Sequence, residues 1–570
     1  MDHVENRAVD GLIASQLNGR LTRRQLATGV LALPAITALI AACGSDKAKT
    51  TSTTGATTAP GADTTLTGAT PTTVASETTL AAASGGNLIV AMDLPGGPFD
   101  PVGMYDLVAY GLVAQCFEFL CSLGDNSDIG PGLATEWSSN ADATEWTFKL
   151  REGVKWQKGG DFTADDVAAT MDRLVEGGNS GLGGIISKGS VTAPDPLTAV
   201  IKLDKAVGLF PYLVSVFNAQ TVITPKDWAL GNTLDKNPDG TGPWILESLD
   251  PTTSAKFKKN PDYWGGPPPL DSVEFQFFPD TDTQVTALQG GNVDVVMQFQ
   301  ASTGTSLFSD SSVDVSVLRA ATHRQLWMRC DTGQFADKKV RQALALSLDR
   351  DVLISTLFDG KADLGNDHVI APIYPYFDKT QPQRTRDIAK AKSLLTDAGF
   401  PNGLEATLYA GDLQEIKQLA QLVAVQAADA GFKLTASVVD NGSFYGKYWC
   451  PAEPKDPPCS GAAEIGIVDY GHRATPDVFL NAAIKTHGVW NSSQYSSAEL
   501  DTAFEAFQAA PEADDAGRAA AAKNIQKIMN EDVPVCIPYF YNYLSATSKK
   551  VSGAQTSALG QIFLAKASKA

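Results

Sequence analysis

Residues 44–86 set the first limit on what this chain can fold into. Threonine, alanine, glycine and serine dominate the tract, with scattered proline. It lacks the apolar side chains whose burial offsets the entropy of ordering, so the composition predicts a disordered tether. As a random coil such a tether reaches roughly 35 Å. Any core must therefore be built from residue 87 onward. The chain has 570 residues, and its 43% hydrophobic content is an ordinary globular fraction, enough for a large core in several domains. The formal net charge is −19 and the pI about 4.7. An acidic surface repels phosphate backbones, which argues against nucleic acid as a partner.

The segment before that tract reads Arg20-Leu21-Thr22-Arg23-Arg24-Gln25-Leu26 and then runs apolar to Ile40-Ala41-Ala42-Cys43. A basic start, a short apolar stretch and small residues before a cut describe a secretory signal. A membrane span needs roughly 20 apolar residues, and Pro34 opposes a settled helix. The paired arginines resemble a twin-arginine export signal. Ile40-Ala41-Ala42-Cys43 resembles the lipobox of bacterial lipoproteins. That resemblance implies cleavage before Cys43, a lipid on its sulfur, and an exported body anchored to the outer face of the cytoplasmic membrane. The expected division is 1–43 as signal peptide and 44–86 as tether. The body beyond has no long apolar run and reads as soluble.

The seven cysteines are Cys43, Cys116, Cys121, Cys330, Cys450, Cys459 and Cys536. Cys450 and Cys459 bracket a proline-rich loop, Pro451-Ala452-Glu453-Pro454-Lys455-Asp456-Pro457-Pro458, and a disulfide there is expected in an oxidising space. Zinc is the competing idea, but the spacings do not suit it and no histidine stands near in sequence. Cys116 and Cys121 are too widely spaced for a CxxC redox motif, which leaves a local pair and two buried thiols both open.

Strand-like runs occur at 87–92, 146–150, 198–203, 273–278, 293–299 and 433–439. Thr163 and Asp337 are placed to cap helices, and helices are expected at 283–288, 387–398 and 416–430, with Gly399 and Gly431 as C-caps of the last two. No βαβ repeat is strict, which favours a large α/β protein with mixed sheets.

Four stretches then resemble one family, the extracellular solute-binding proteins of peptide, nickel and related ABC importers (family 5, oligopeptide/dipeptide-binding type). The first is Gly130-Pro131-Gly132-Leu133-Ala134-Thr135-Glu136-Trp137, continued by residues 146–156 and by Phe162-Thr163-Ala164-Asp165-Asp166-Val167. The second is Gly240-Thr241-Gly242-Pro243-Trp244 with Asn260-Pro261-Asp262-Tyr263-Trp264 and Leu270-Asp271. The third is Val340-Arg341-Gln342-Ala343-Leu344 with Leu348-Asp349-Arg350, and the fourth is Ala389-Lys390-Ala391-Lys392-Ser393-Leu394-Leu395-Thr396-Asp397-Ala398-Gly399. The resemblance implies a two-lobed periplasmic-binding-protein clamshell (type II, large cluster), with lobe 1 at 87–322, an extra subdomain at about 130–230, lobe 2 at 323–535 and a C-terminal return at 536–570. It implies chain crossings near 322–328 and 533–539, and hinge closure around a ligand. Gly240 and Gly242 are expected to permit tight turns.

The same resemblance implies a substrate-binding lipoprotein that captures peptides between its lobes and hands them to permease and ATPase partners. In peptide-binding members an aspartate in a setting like Ile467-Val468-Asp469-Tyr470 pairs with the ligand's α-amino group, which puts Asp469 and Tyr470 in the site. A carboxylate in a closing cleft suits an ammonium; equally, Asp469 caps a turn. Arg473 suits a ligand carboxylate or a solvated surface. Trp327, Tyr445, Tyr448, Trp449 and Trp490 are candidate cleft walls or core; Asn491 shares the Trp490 loop, and Phe99 an early loop at the other lobe's rim. Two departures bear on peptide specificity. Gly466 stands where peptide binders often carry tryptophan, and the link from Gly471 to Pro476 is long.

The alternatives are an oligosaccharide, an opine or a metal chelate in the same fold, a scaffold or sensor, and an exported hydrolase. No Gly-x-Ser-x-Gly, Ser-x-x-Lys or His-Glu-x-x-His motif occurs, and His3, His323, His368, His472 and His487 have no helical metal spacing. No enzyme activity, metal or cofactor is expected, and the body reads as a monomer.

Overall fold

The computed structural model describes residues 85–124, 128–454, 456–512 and 514–570. The signal segment, Cys43 and nearly all of the 44–86 tract lie outside the described residues. Strand Asn87–Asp93 is the centre of a seven-stranded sheet. It runs parallel to Ser272–Phe278 on one side and Val295–Val296 on the other. A strand paired on both edges and covered on both faces reads as a continuous apolar run, as Leu88, Val90, Ala91 and Met92 do. Ser254–Lys259 and Trp244–Asp250 extend the sheet one way, and Tyr543–Ser548 and Val313–Leu318 the other. The expected strand at 293–299 is ordered as a strand only over Val295–Val296. Neighbouring Met297 and Phe299 are buried outside it.

The second large sheet, also mixed, has the order Ala362–Leu364, Tyr539–Tyr541, His323–Met328, Ile465–Tyr470, Leu404–Gly411, Phe432–Val439, with Val535–Cys536 added beside His323–Met328. A smaller antiparallel sheet, Ala134–Ser139, Glu145–Leu150, Thr198–Lys202 and Val191–Asp195, stands apart from both. In Glu145–Leu150 the period of two buries Trp146, Phe148 and Leu150 on one side. Helix Ala164–Glu176 covers that side through Val167, Met171 and Leu174. Its start is fixed by a capping box, in which the Asp166 carboxylate accepts the Thr163 N–H at 2.8 Å. Helix Lys338–Ser347 of the second lobe is capped by Asp337, which accepts the Lys339 N–H at 2.8 Å.

The chain passes between the large sheets twice. Leu318 closes a strand of the first and His323 opens one of the second; on the way back Tyr541 ends in the second and Tyr543 begins in the first. The passages are therefore at 319–322 and Asn542. Of the ranges expected for them, 322–328 is nearly all strand of the second sheet, and 533–539 holds Val535–Cys536 and the start of Tyr539–Tyr541 in that same sheet. The passages are tied together: the Tyr541 N–H donates to the Thr322 carbonyl at 2.9 Å. His472 Nδ1 accepts the Ala321 N–H at 3.0 Å.

Gly240 and Gly242 serve a close approach rather than a left-handed turn. A Cβ on Gly240 would stand 1.8 Å from the Cys116 carbonyl oxygen, and the Gly242 N–H donates to that oxygen at 2.7 Å. Cys116 and Cys121 are both free and buried.

Candidate functional site

In open α/β sheets ligands bind beyond the carboxyl ends of the strands. Asp469 lies at that end of Ile465–Tyr470, and it is the one residue of the strand that is not buried. Its cross-strand partner is Arg324. The Arg324 guanidinium is buried and bidentate to Glu415, at 2.7 and 2.9 Å, with a third bond to Gln414 Oε1 at 2.7 Å. Burial opposes its charge, but Glu415 and Tyr541 more than offset that and hold its pKa above the usual guanidinium value. Arg324 is thus consumed by its own lobe, while its positive charge still reaches Asp469. Tyr445 donates its hydroxyl to Asp469 Oδ1. Burial first, and then the Asp469 charge, push the Tyr445 pKa up, so it stays a donor. Among the described residues no donor is bonded to Oδ2 of Asp469.

Arg473 lies four residues further on. It is partly buried rather than a solvated surface residue; among the described residues its guanidinium makes one hydrogen bond, to the His472 carbonyl at 2.8 Å, while its backbone carbonyl accepts from the Tyr374 hydroxyl at 2.7 Å. No carboxylate pairs with it among the described residues. Burial pulls its pKa below the usual guanidinium value, against the opposite pull of Tyr110 and Tyr374. Tyr110 belongs to helix Leu107–Cys116 of the first lobe, and its hydroxyl feels both Arg473 and Asp469. The open carboxylate and the unpaired guanidinium therefore lie where the two lobes face each other.

Aromatic rings line this region. Tyr445 meets Trp449 edge to face at 5.4 Å, Trp449 meets Trp490 at 6.5 Å, and Trp490 meets Tyr470 at 5.9 Å. Trp490 packs partly against the core of the first lobe's small sheet as well as that of the second lobe. Further interlobe contacts are Phe217 on His472, with ring centroids at 5.5 Å, and the Gly208 N–H donating to the Gln508 carbonyl at 2.9 Å. Cys450 and Cys459 are joined by a disulfide.

Other sequence candidates face inward. Trp327 is fully buried, donates Nε1–H to the Ala463 carbonyl at 2.9 Å, and covers Gly466; a Cβ on Gly466 would stand 2.2 Å from that indole. The Trp327 ring thus fills the space over Gly466 from across the strand pair. Asn491 is buried, and its amide is spent within its own loop on Lys485, Tyr495 and Ser493. Phe99 packs in the first lobe's core, and Tyr448 stacks on Tyr409 at 4.2 Å. Among the described residues none of these four side chains hydrogen-bonds to Asp469 or Arg473. Tyr110 escaped notice in the sequence because nothing local distinguishes it; only the opposite lobe does.

The family described as "Bacterial extracellular solute-binding proteins, family 5 Middle" matches residues 128–450. The glutathione-binding protein GsiB of Shigella flexneri is 28% identical over 363 residues, covering 62% of this chain and 70% of its own. The structure of DppA from Helicobacter pylori, in complex with the peptide STSA, aligns with a TM-score of 0.72 at 23% identity, over 85% of this chain and 99% of that one. NikA from Staphylococcus aureus, in complex with Ni(L-His)2, gives 0.71 at 20% identity, over 85% and 100%. At these identities the structures establish the two-lobed fold. Among the described residues no helix is long and apolar enough to cross a membrane.

Proposed function

We propose a function from one premise: the chain belongs to the bacterial extracellular solute-binding proteins of family 5. It is the substrate-binding component of an ABC importer, and its ligand is a short peptide held as a zwitterion between the lobes. The observation that carries this reading is the pair of unmet charges facing Tyr110. Asp469 offers a free carboxylate oxygen beside the Tyr445 hydroxyl, and Arg473 offers a guanidinium with no acid beside it. An ammonium on the first and a carboxylate on the second complete both. Each bond strengthens as closure expels water. Arg324 does not compete for the ligand, because Glu415 already neutralises it.

The mechanism follows from where the groups are mounted. Asp469 and Arg473 ride on the second lobe and Tyr110 on the first, so a ligand bound to the charges adds contacts to Tyr110 only when the lobes meet. A ligand favours the closed state by as much as its affinity differs between states. The protein binds without turnover and delivers its ligand to membrane permease and ATPase partners. The proposal extends to a lipid on Cys43, with residues 44–86 as spacer, to a monomeric body, and to lobes 87–318 with 543–570 and 323–541.

Native mass spectrometry of the gently purified protein tests the reading. A ladder of peptide masses is expected, lost in Asp469→Asn. A single non-peptide mass, such as an opine or a nickel chelate, contradicts it.

A further inference from the structure

We propose that Tyr445, Trp449, Tyr470 and Trp490 form one continuous wall, positioned by the Cys450–Cys459 bridge, that selects ligands whose ammonium-bearing residue carries a flat aromatic side chain with a polar edge. The inference rests on the reading of Asp469 as the ammonium's partner.

The wall begins at that carboxylate. Tyr445 touches Asp469 with its hydroxyl and Trp449 with its ring. Contact then passes to Trp490 and Tyr470. The side chain next to an ammonium held on Asp469 therefore starts at Tyr445 and extends along the rings. Tyr445, Trp449 and Trp490 are each partly exposed, so ring surface remains for a ligand. Offset and edge-to-face contacts favour a second aromatic there over an aliphatic group of similar area.

Two buried atoms at the wall have no hydrogen-bond partner: Trp449 Nε1 and Tyr470 Oη. They lie near enough for the indole N–H to lower the Tyr470 hydroxyl's pKa, though burial dominates and raises it overall. The pair falls short of hydrogen-bond geometry. Buried polar groups left unpaired cost stability, and a ligand atom that accepts from the indole and bonds the phenol meets both needs. A hydroxylated or nitrogen-bearing ring carries such an atom at its edge.

The wall is assembled from two loops and a strand end, and the bridge ties the two loops together. Tyr445 and Trp449 lie on the single turn Phe444–Trp449, directly before Cys450. Trp490 follows Val489 in another loop. The bridge joins these loops: the Cys459 and Cys450 sulfurs lie 3.1 and 3.4 Å from the Val489 carbonyl oxygen. These are contacts, since a disulfide sulfur has no proton to donate. Gln494 Nε2 donates to the Pro458 carbonyl at 2.7 Å, and the Ala463 N–H to the Tyr448 carbonyl at 2.8 Å, closing the loop from both ends. Cys450 and Cys459 are thus positioning residues for the two tryptophans.

The test is calorimetric titration of the purified protein with Tyr-Ala, Phe-Ala, Leu-Ala and Ala-Ala. The readout is the ratio of affinities, which a general loss of stability does not move. Tyr-Ala is expected to bind about tenfold more tightly than Ala-Ala, and about fivefold more tightly than Phe-Ala. Trp449→Leu keeps an apolar side chain but removes the ring, and should bring the Tyr-Ala to Ala-Ala ratio close to one. Joint Cys450→Ser and Cys459→Ser should narrow the same ratio, as should reduction with dithiothreitol. Equal affinity for the four dipeptides in the unaltered protein overturns the wall while leaving the peptide reading intact. An unchanged ratio in both the double-serine and the reduced protein overturns the positioning role of the bridge. Failure of all four dipeptides to bind overturns the inference together with the reading beneath it.

Discussion

Glu118 in the first lobe and Asp469 in the second both stand among tyrosine and tryptophan side chains, but their hydrogen-bond shells differ. The Glu118 carboxyl accepts from Thr241 Oγ1 at 2.8 Å, Tyr263 Oη at 2.9 Å and Trp264 Nε1 at 2.8 Å. All three donors come from the family-like stretches at 240–244 and 260–264, which this carboxyl ties to the end of helix Leu107–Cys116. Asp469 accepts from Tyr445 alone among the described residues. A carboxylate with a full shell fastens structure, and one left open receives a ligand. The two guanidiniums divide the same way, with Arg324 spent on Glu415 and Gln414 and Arg473 without an acid among the described residues.

That contrast can be broken by substitution. Asp469→Asn should cost roughly a hundredfold in peptide affinity, because it removes the partner of a buried ammonium, while the thermal midpoint stays put. Glu118→Ala should do the reverse. Stranding Thr241, Tyr263 and Trp264 costs about 3 kcal/mol of stability, read by chemical denaturation, and affinity per folded molecule is unchanged. A loss of affinity in both variants, or in neither, erases the distinction.

Gly208→Ala sharpens it from a third position. Its Cβ would stand 1.8 Å from the Ala510 carbonyl oxygen across the lobe boundary, so closure must give way. Affinity for every ligand should fall by the same factor, about tenfold, with selectivity preserved. A change confined to one ligand class would place Gly208 in the site instead.

The two lobes also differ in pH dependence. Burial raises the Glu118 pKa to about 7, against the pull of Trp264, Thr241, Tyr263 and Arg151. A carboxyl that holds its proton more tightly when folded contributes stability that is lost as pH rises, here from about 4.5 to about 7. Over that whole range the shift converts to roughly 3 kcal/mol. His472 has the opposite sign. Burial lowers its pKa to about 3, so its contribution is lost as pH falls from 6.5 toward that value. Protonating Nδ1 also ends its acceptance of the Ala321 N–H. Glu118→Gln should flatten the loss of stability between pH 5 and 7 and leave the acid limb alone; an unchanged slope there contradicts the assignment.

The sequence made local features legible and left shared surroundings obscure. Thr163 and Asp337 announced their helices because a cap needs only the next three residues. The Cys450–Cys459 pair was readable from the prolines between the cysteines. Asp469 was legible through the family-like setting Ile467-Val468-Asp469-Tyr470. Arg473 carried no mark of lacking an acid, since that depends on what every other segment brings near it. Trp327 and Gly466 become partners only through strand register. Asn491 looked available until its loop folded around the amide. The lone carboxylate within Phe117-Glu118-Phe119-Leu120 is a sequence signal of an acid set in apolar surroundings.

The most direct measurement of the central account is titration calorimetry with one dipeptide in three forms: free, N-acetylated and C-amidated. The account predicts that acetylation, which removes the ammonium that Asp469 receives, weakens binding by roughly a hundredfold. Amidation, which removes the carboxylate that Arg473 receives, should weaken it comparably. Equal affinity for the three forms would contradict the assignment of both charges.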